Sequence, residues 1–492
     1  MADSRSSYRQ IVKSTSLFGG VQVMNILVGI VRSKIVAVLL GPGGMGIFGL
    51  LNSSVSLISG LTNFGLGTSA VRNISEANKT GNSIRISIVS TVIRRLVVVT
   101  GLLGMLITLA FSPLLSKIAF GNSHYTLAFV FVSVTLLLTQ ISTGQTVLLR
   151  GMRQLGSMAR SNIYGSLLGL ATTIPLYYIL REEGIVPAII IAAVFNVLLT
   201  NYYSRQIKIQ PVQVSFARTL AEGKGMMKMG FMISITALIS IGTSFLNRIY
   251  ISNIAGVEMV GLYTAGFAII NTYVGMIFTA MGTDFYPRLS AVNKDNNDCR
   301  ELVNQQAEIA ILIISPIICG FLIFLNWILI ILYSTKFLPV KDMIMWAALS
   351  MFFKAASWPV GFIFLAKGDT KIYFWSELAA NTTLLIMNIV GFRYLEFTGM
   401  GLSFLISYII VFFQVLIIAV KKYTFSFDRE FYRIFLIQLV LGVLCFSSIV
   451  LLHSSGKYII SIAMLVFSMI FSYYELDRRI GIKSIVKKLI GK

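Results

Sequence analysis

The chain alternates long apolar runs with short polar breaks from one end to the other. Runs of about 20 apolar residues match the length of helix that crosses a hydrocarbon layer of about 30 Å. They are continuous rather than alternating, which predicts helices and not barrel strands. About fourteen spans are expected, the first near 15–40 and 45–68 and the last near 431–452 and 457–475. No run is followed by a small-residue cleavage site, so no removed leader is expected. The fold class read from this pattern is an all-α polytopic membrane protein. Its expected organisation is a cytoplasmic segment 1–14, a first six-helix lobe 15–204, a linker 205–228, a second six-helix lobe 229–420, an appended helix pair 421–475 and a basic tail 476–492.

Composition agrees. Of 492 residues, 56% are hydrophobic and only 12% charged, too few charges to cover a soluble surface of this size. The net charge of +22 would suggest a nucleic-acid partner in a soluble protein. Here its distribution explains it. With an even number of spans, the N-terminus, alternate loops and C-terminus hold 31 of the 41 Lys and Arg, and the opposite loops hold six. Basic loops stay in the cytoplasm, so both termini are expected there, and no nucleic-acid partner is. No loop is long enough to build a core of its own, so the work is expected of helices within the bilayer.

A weak internal repeat runs through the chain. Arg32 precedes the loop–helix segment LGPGGMGIFGL and Arg72 follows it; Arg248 precedes IAGVEMVGLYTA and Arg288 follows it. The separation is the same in both cases, the offset between the halves is about 216, and the loop-end glycines Gly46 and Gly261 correspond. An offset of six spans predicts two pseudo-symmetric lobes of one orientation, with a substrate site at their interface near mid-membrane.

Polar stripes mark that cavity. Gln22, Asn25, Gly29 and Arg32 share one face of the first span, and Asn52, Ser56, Ser59 and Asn63 share one face of the second. Thr236, Ser240, Thr243 and Asn247 do the same on the seventh, with Arg248 at the edge. Small polar residues also serve as helix–helix glue, but a stripe ending in a guanidinium favours a wetted cavity. A charge at mid-bilayer costs about 2.5–3.5 kcal/mol or more, so it signals function by default. Arg32 and Lys34 point about 200° apart, so Arg32 is the cavity candidate and Lys34 can snorkel to head groups. Lys354 lies deep in the tenth span; either it pairs with Glu377 or it is a third cavity cation with Glu377 as a protonatable coupling group. Asp284 and Glu308, at cytoplasmic span ends, read as solvated or gate-forming, with coupling a further role for Asp284.

Sharper chemistry is missing. Three cysteines show no metal or redox spacing, His124 and His453 have no metal partner nearby in sequence, and no Gly-Lys-Ser/Thr phosphate loop occurs. No cofactor and no enzymatic activity are expected.

The segments LGPGGMGIFGL, FGLGTSAVRNIS and DFYPRLSAV, in that order and spacing, resemble the polysaccharide-transporter branch of the multidrug/oligosaccharidyl-lipid/polysaccharide (MOP) exporter superfamily. More closely they resemble the O-antigen translocases (Wzx). The resemblance implies an inner-membrane flippase that moves an undecaprenyl-diphosphate-linked oligosaccharide to the periplasmic leaflet by alternating access, with Arg32 and Arg248 as the matching cavity cations. It also implies contacts with membrane lipids and other polysaccharide-assembly proteins, and a monomer is expected. Outward movement of one uncompensated negative charge gains about 2.3 kcal/mol per 100 mV, so proton or sodium coupling is compatible with this reading but not required. A multidrug extruder would want carboxylates in the first lobe, where spans 1–6 place none. A lipid II flippase shares the chemistry. A polymerase or ligase would need a larger outer loop.

Overall fold

The computed structural model describes residues 24 and 26–480, except 80, 208, 210–211 and 453–455. The predicted segment 1–14, Gln22, Asn25, His453 and most of the basic tail lie outside these residues. Within them the chain is almost entirely helical. Among the described residues nine helices are long and apolar enough to cross a membrane, and a tenth candidate is a pair bent by 54° near Gly230. Residues 155–205 and 370–423 form continuous stretches of 51 and 54 residues, more than twice one crossing. This is a multi-pass helical membrane protein, though the fourteen expected spans do not map one-for-one onto its helices. Sharp turns inside two of them, and the bend in a third, blur the count.

The helices fall into two compact units, Met1–Gly261 and Leu262–Lys492. Unit 1 contains α1 (26–39), α2 (Gly41–Thr62), α3 (Leu66–Lys79), α4 (Ser83–Ala110), α5 (Ser112–Phe120), α6 (Thr126–Gly151), α7 (Leu155–Leu180), α8 (Ile185–Arg205) and α9 (Phe216–Ala255). Side-chain caps fix several starts: Asn82 accepts from the Arg85 amide at α4, and Ser215 from the Arg218 amide at α9. The repeat assigned residues 229–254 to the second half, but as α9 they pack within unit 1. Glycines permit this. A Cβ on Gly65 would lie 2.0 Å from the Gly230 carbonyl oxygen, and one on Gly230 2.2 Å from that of Phe64.

α10 (Val257–Phe267) straddles the boundary. Its first turn crosses the start of α2: a Cβ on Gly46 would meet the Val257 carbonyl at 2.0 Å, and one on Gly261 would meet that of Pro42 at 1.8 Å. The contact is reciprocal, each glycine touching the residue one helical turn before the other.

Unit 2 continues through α11 (Gly275–Ala291), α12 (Asn296–Leu332), α13 (Lys341–Ala366), α14 (Thr370–Tyr423), α15 (Arg429–Leu451) and α16 (Gly456–Ile480). Its interior is aromatic. Phe427, Phe431, Phe435 and Phe412 stack with centroids 3.8–6.2 Å apart. Lipid is as apolar as these side chains, so close packing rather than water exclusion holds them. At one end of the unit Glu308 of α12, Glu430 and Arg433 of α15, and Glu475 and Arg479 of α16 form an ion-pair cluster. Arg479 reaches Glu308 at 2.7 Å, and Arg433 reaches Glu475 at 2.6 Å. Glu308, expected to be solvated or a gate, is buried and paired.

The repeat has a backbone signature. α6 runs from Thr126 to Gly151 and α13 from Lys341 to Ala366, so the two helices have equal length and keep one offset from start to end. The same offset relates two strained residues. α7 ends at Arg181, with φ 52° and ψ −129°, and its counterpart Glu396 kinks α14 at φ 47° and ψ −127°. This conformation is costly for any residue with a side chain, and its recurrence reflects a shared architecture. Gly184 presses on the Leu176 carbonyl, and Gly399 presses on that of Gly391 in the same relation. Registered on these landmarks, Arg32 matches Asn247, not Arg248. The Gly46–Gly261 match keeps this register, but the arginine pairing read from the sequence is out by one position, which leaves Arg248 one residue further round its helix.

A polar chamber as candidate functional site

α7 carries glycines at 165 and 169, a spacing that lets a neighbouring helix approach closely. α8 does so, and two polar side chains use the space. Asn196 Oδ1 lies 2.9 Å from where a Cβ on Gly165 would sit, and Arg32 Nη2 lies 3.2 Å from the same point on Gly169. Around them is a chamber of about 280 Å³, lined by Arg32, Asn52, Thr135, Thr139, Ser166 and Asn196 together with apolar residues. The Arg32 Nε is buried with no hydrogen-bond partner among the described residues. None of the lining residues is a carboxylate. A desolvated guanidinium without a counter-charge is costly, and the fork donates best to a bidentate oxyanion.

The chamber continues as a polar seam between α6 and α8. Thr200 hydrogen-bonds Gln145 and lies 3.2 Å from Ser142. The seam leads to a second chamber of about 280 Å³ at the predicted cytoplasmic side, where Arg94 and Arg205 accompany Gln145, Asn201 and Ser204. In the other direction, Leu51 separates the Arg32 chamber from a larger pocket of about 1180 Å³ at the predicted outer face.

The remaining expected residues scatter. Asn63 is a turn residue, its Oδ1 accepting from the Gly65 amide at 2.8 Å. Asn247 is buried in α9, and the Arg248 guanidinium donates to the Ser244 carbonyl of its own helix at 3.1 Å. Asp284 is exposed and pairs with Arg288 at 3.3 Å. Lys354 sits over the rings of Phe278 and Tyr408 at 5.5 and 5.4 Å. Glu377 is within its electrostatic reach, yet the two form no direct ion pair among the described residues. The structure therefore brings together Arg32 and Asn52 from the expected set. It places them inside unit 1, because the α7 glycines leave room there.

Asn196, Thr139, Ser166 and the two arginines of the second chamber, Arg94 and Arg205, went unread in the sequence. A signal existed: Thr135, Thr139 and Ser142 recur at helical spacing on α6, as do Asn196, Thr200 and Ser204 on α8.

Comparison with known proteins now decides the family. The sequence profile described as "Polysaccharide biosynthesis protein" matches residues 35–342, well over half of the chain. The chain belongs to this polysaccharide biosynthesis family. Within curated proteins it is similar to the "Lipid III flippase" of Escherichia coli (strain K12), 22% identical over 374 residues, which cover 74% of this chain and 87% of that one. It is also similar to a "Putative O-antigen transporter" of Shigella flexneri, 26% identical over 304 residues covering 61% and 71%. Among solved structures it shares its fold with the lipid II flippase MurJ in an inward closed conformation, at a TM-score of 0.67 and 14% identity over 95% of this chain and 99% of that one. An inward-facing multidrug transporter of the MATE family follows, at a TM-score of 0.66 and 16% identity over 81% and 95%. This member of the polysaccharide biosynthesis family therefore shares its fold with these solved transporters.

Proposed function

We propose that the protein is a flippase for a lipid-linked saccharide, carrying an undecaprenyl-diphosphate-linked oligosaccharide of the O-antigen type from the cytoplasmic to the periplasmic leaflet of a bacterial inner membrane. The observation that carries the reading is the Arg32 chamber: a guanidinium with a buried, unpartnered Nε among neutral polar groups, in a chain whose relatives are named as flippase and O-antigen transporter. A diphosphate is the part of such a substrate that a guanidinium recognises, by paired N–H donors. The chamber suits the phosphates and a few waters, with the sugars outside it. Arg248 is the second cation of this reading, one helical position beyond the residue equivalent to Arg32. A lipid III-type saccharide is the second reading, favoured by the longer alignment to the Escherichia coli relative.

The test is a deletion strain complemented with parent or Arg32→Ala. The expected outcome is loss of surface glycan with unchanged protein level, and accumulation of the lipid-linked precursor on the cytoplasmic side. The accumulated glycan names the substrate and separates the two readings. Normal glycan display by Arg32→Ala would overturn the role given to the chamber.

A further inference from the structure

The pocket of about 1180 Å³ at the predicted outer face of unit 1 is not used by this reading. The outer ends of α1, α2, α6 and α8 enclose it. Its depth is apolar, with Leu39, Ile47, Leu51, Phe131 and Ile190 among the lining residues. Its rim is charged and comes from two turns: His124 before α6, and Arg181, Glu182 and Glu183 between α7 and α8. An apolar shaft beneath a charged mouth fits an amphiphile, with its chain in the shaft and its head group at the membrane surface.

The rim selects the head group. It carries both signs side by side. An Arg181 Nη1–H donates to the Leu39 carbonyl at 3.3 Å, which fixes the guanidinium over the end of α1. Gly43 makes room for the neighbouring carboxylate: a Cβ there would lie 3.4 Å from Glu182 Oε1. The Tyr125 phenol is held above its ordinary pKa, first by burial and then by Glu182, which places that carboxylate at the same mouth. A purely anionic head group would meet two carboxylates. A head group with a phosphate and a primary ammonium offers the arginine an acceptor and the carboxylates a donor. The repeat-related turn shows the contrast. It has the same strained backbone at Glu396, but Phe397 and Thr398 follow where unit 1 has Glu182 and Glu183.

We propose that this pocket holds one zwitterionic phospholipid of the ethanolamine type, its phosphate on Arg181 and its ammonium on Glu182 and Glu183. This goes beyond the flippase reading and does not depend on it. The test uses the purified full chain, stripped of lipid, with palmitoyl-oleoyl phosphatidylethanolamine, the matching phosphatidylglycerol, or undecaprenyl phosphate added, and bound lipid read by native mass spectrometry. The expected result is an occupancy preference of about tenfold for the ethanolamine lipid over the glycerol lipid, abolished in Glu182→Gln/Glu183→Gln. Ile190→Trp, which fills the shaft, should lower retention of both. The rim variant changes only exposed side chains, so its fold is not at risk. Equal retention of the two phospholipids by the parent, or an unchanged preference in the rim variant, would overturn the assignment. Displacement of the ethanolamine lipid by equimolar undecaprenyl phosphate would also overturn it, by giving the pocket to a prenyl chain.

Discussion

Arg32 in unit 1 and Lys354 in unit 2 are both cations set among membrane-spanning helices, but their surroundings are opposites. Around Arg32 the walls recede: Gly169, Thr139 and Ala193 leave a chamber with neutral polar groups facing it. In the register of the repeat, the residues equivalent to these three are Leu384, Lys354 and Tyr408. Lys354 thus occupies the place equivalent to Thr139, and its ammonium rests on aromatic rings. At these equivalent positions unit 1 is hollow and unit 2 carries larger side chains. Filling favours a rigid, tightly packed body, whereas hollowing leaves a desolvated charge available to a ligand.

The strongest way to break this contrast is to fill the hollow. Gly169→Leu installs the unit 2 residue against Arg32 Nη2 and should reduce glycan export by at least about a hundredfold, as a misplaced binding group does. Lys354→Met keeps the volume and removes the charge, so export should stay within about threefold of the parent if Lys354 acts as filler. Equal losses in a quantitative surface-glycan assay would mean that both cations handle substrate and that the contrast is false.

The second way concerns rigidity. Arg479 neutralises Glu308 and Glu475, whose side chains are only 10% and 3% exposed. Arg479→Gln leaves those carboxylates under-compensated, at a cost of about 3 kcal/mol. The melting temperature of the purified protein should fall by roughly 3–6 °C. A change of under about one degree would show that the cluster is ornamental.

The smallest expected effect lies at the α13–α14 connection. There Asp369 accepts from the Tyr423 hydroxyl and pairs with Lys422 at 3.1 Å. Those partners hold its carboxyl below the ordinary range. Its contribution is therefore complete above the ordinary carboxylate pKa and is lost as pH falls through the lower folded value. Melting followed from about pH 7 down to about pH 3 should show a small acid-side loss that Asp369→Asn removes.

The helical, multi-pass character of the fold was legible because apolar run length is imposed by the bilayer itself. The reciprocal pair Gly46 and Gly261 also emerged correctly, since close backbone approach leaves only glycine. The site was legible in part. Helical phase separated Arg32 from Lys34, but which neighbour Arg32 would face depended on gaps left by Gly165 and Gly169, on a helix far downstream in the chain. A glycine in a membrane helix reads equally as a packing contact or as room for a side chain. The repeat matched Arg32 with Arg248 in place of Asn247, an error of a single position. At about 100° per position, that moves a side chain to another face of the helix. Glu308 read as solvated because its partner, Arg479, stands 171 residues downstream.

That last distance bears on biosynthesis. The ribosome delivers α12 to the membrane long before α16, so Glu308 waits through the synthesis of four further helices for its arginine. Unit 2 can close its charge cluster only once α16 has been made. A chain that stops before Arg479 leaves the half-buried end of α12 with a carboxylate whose guanidinium has not yet been made.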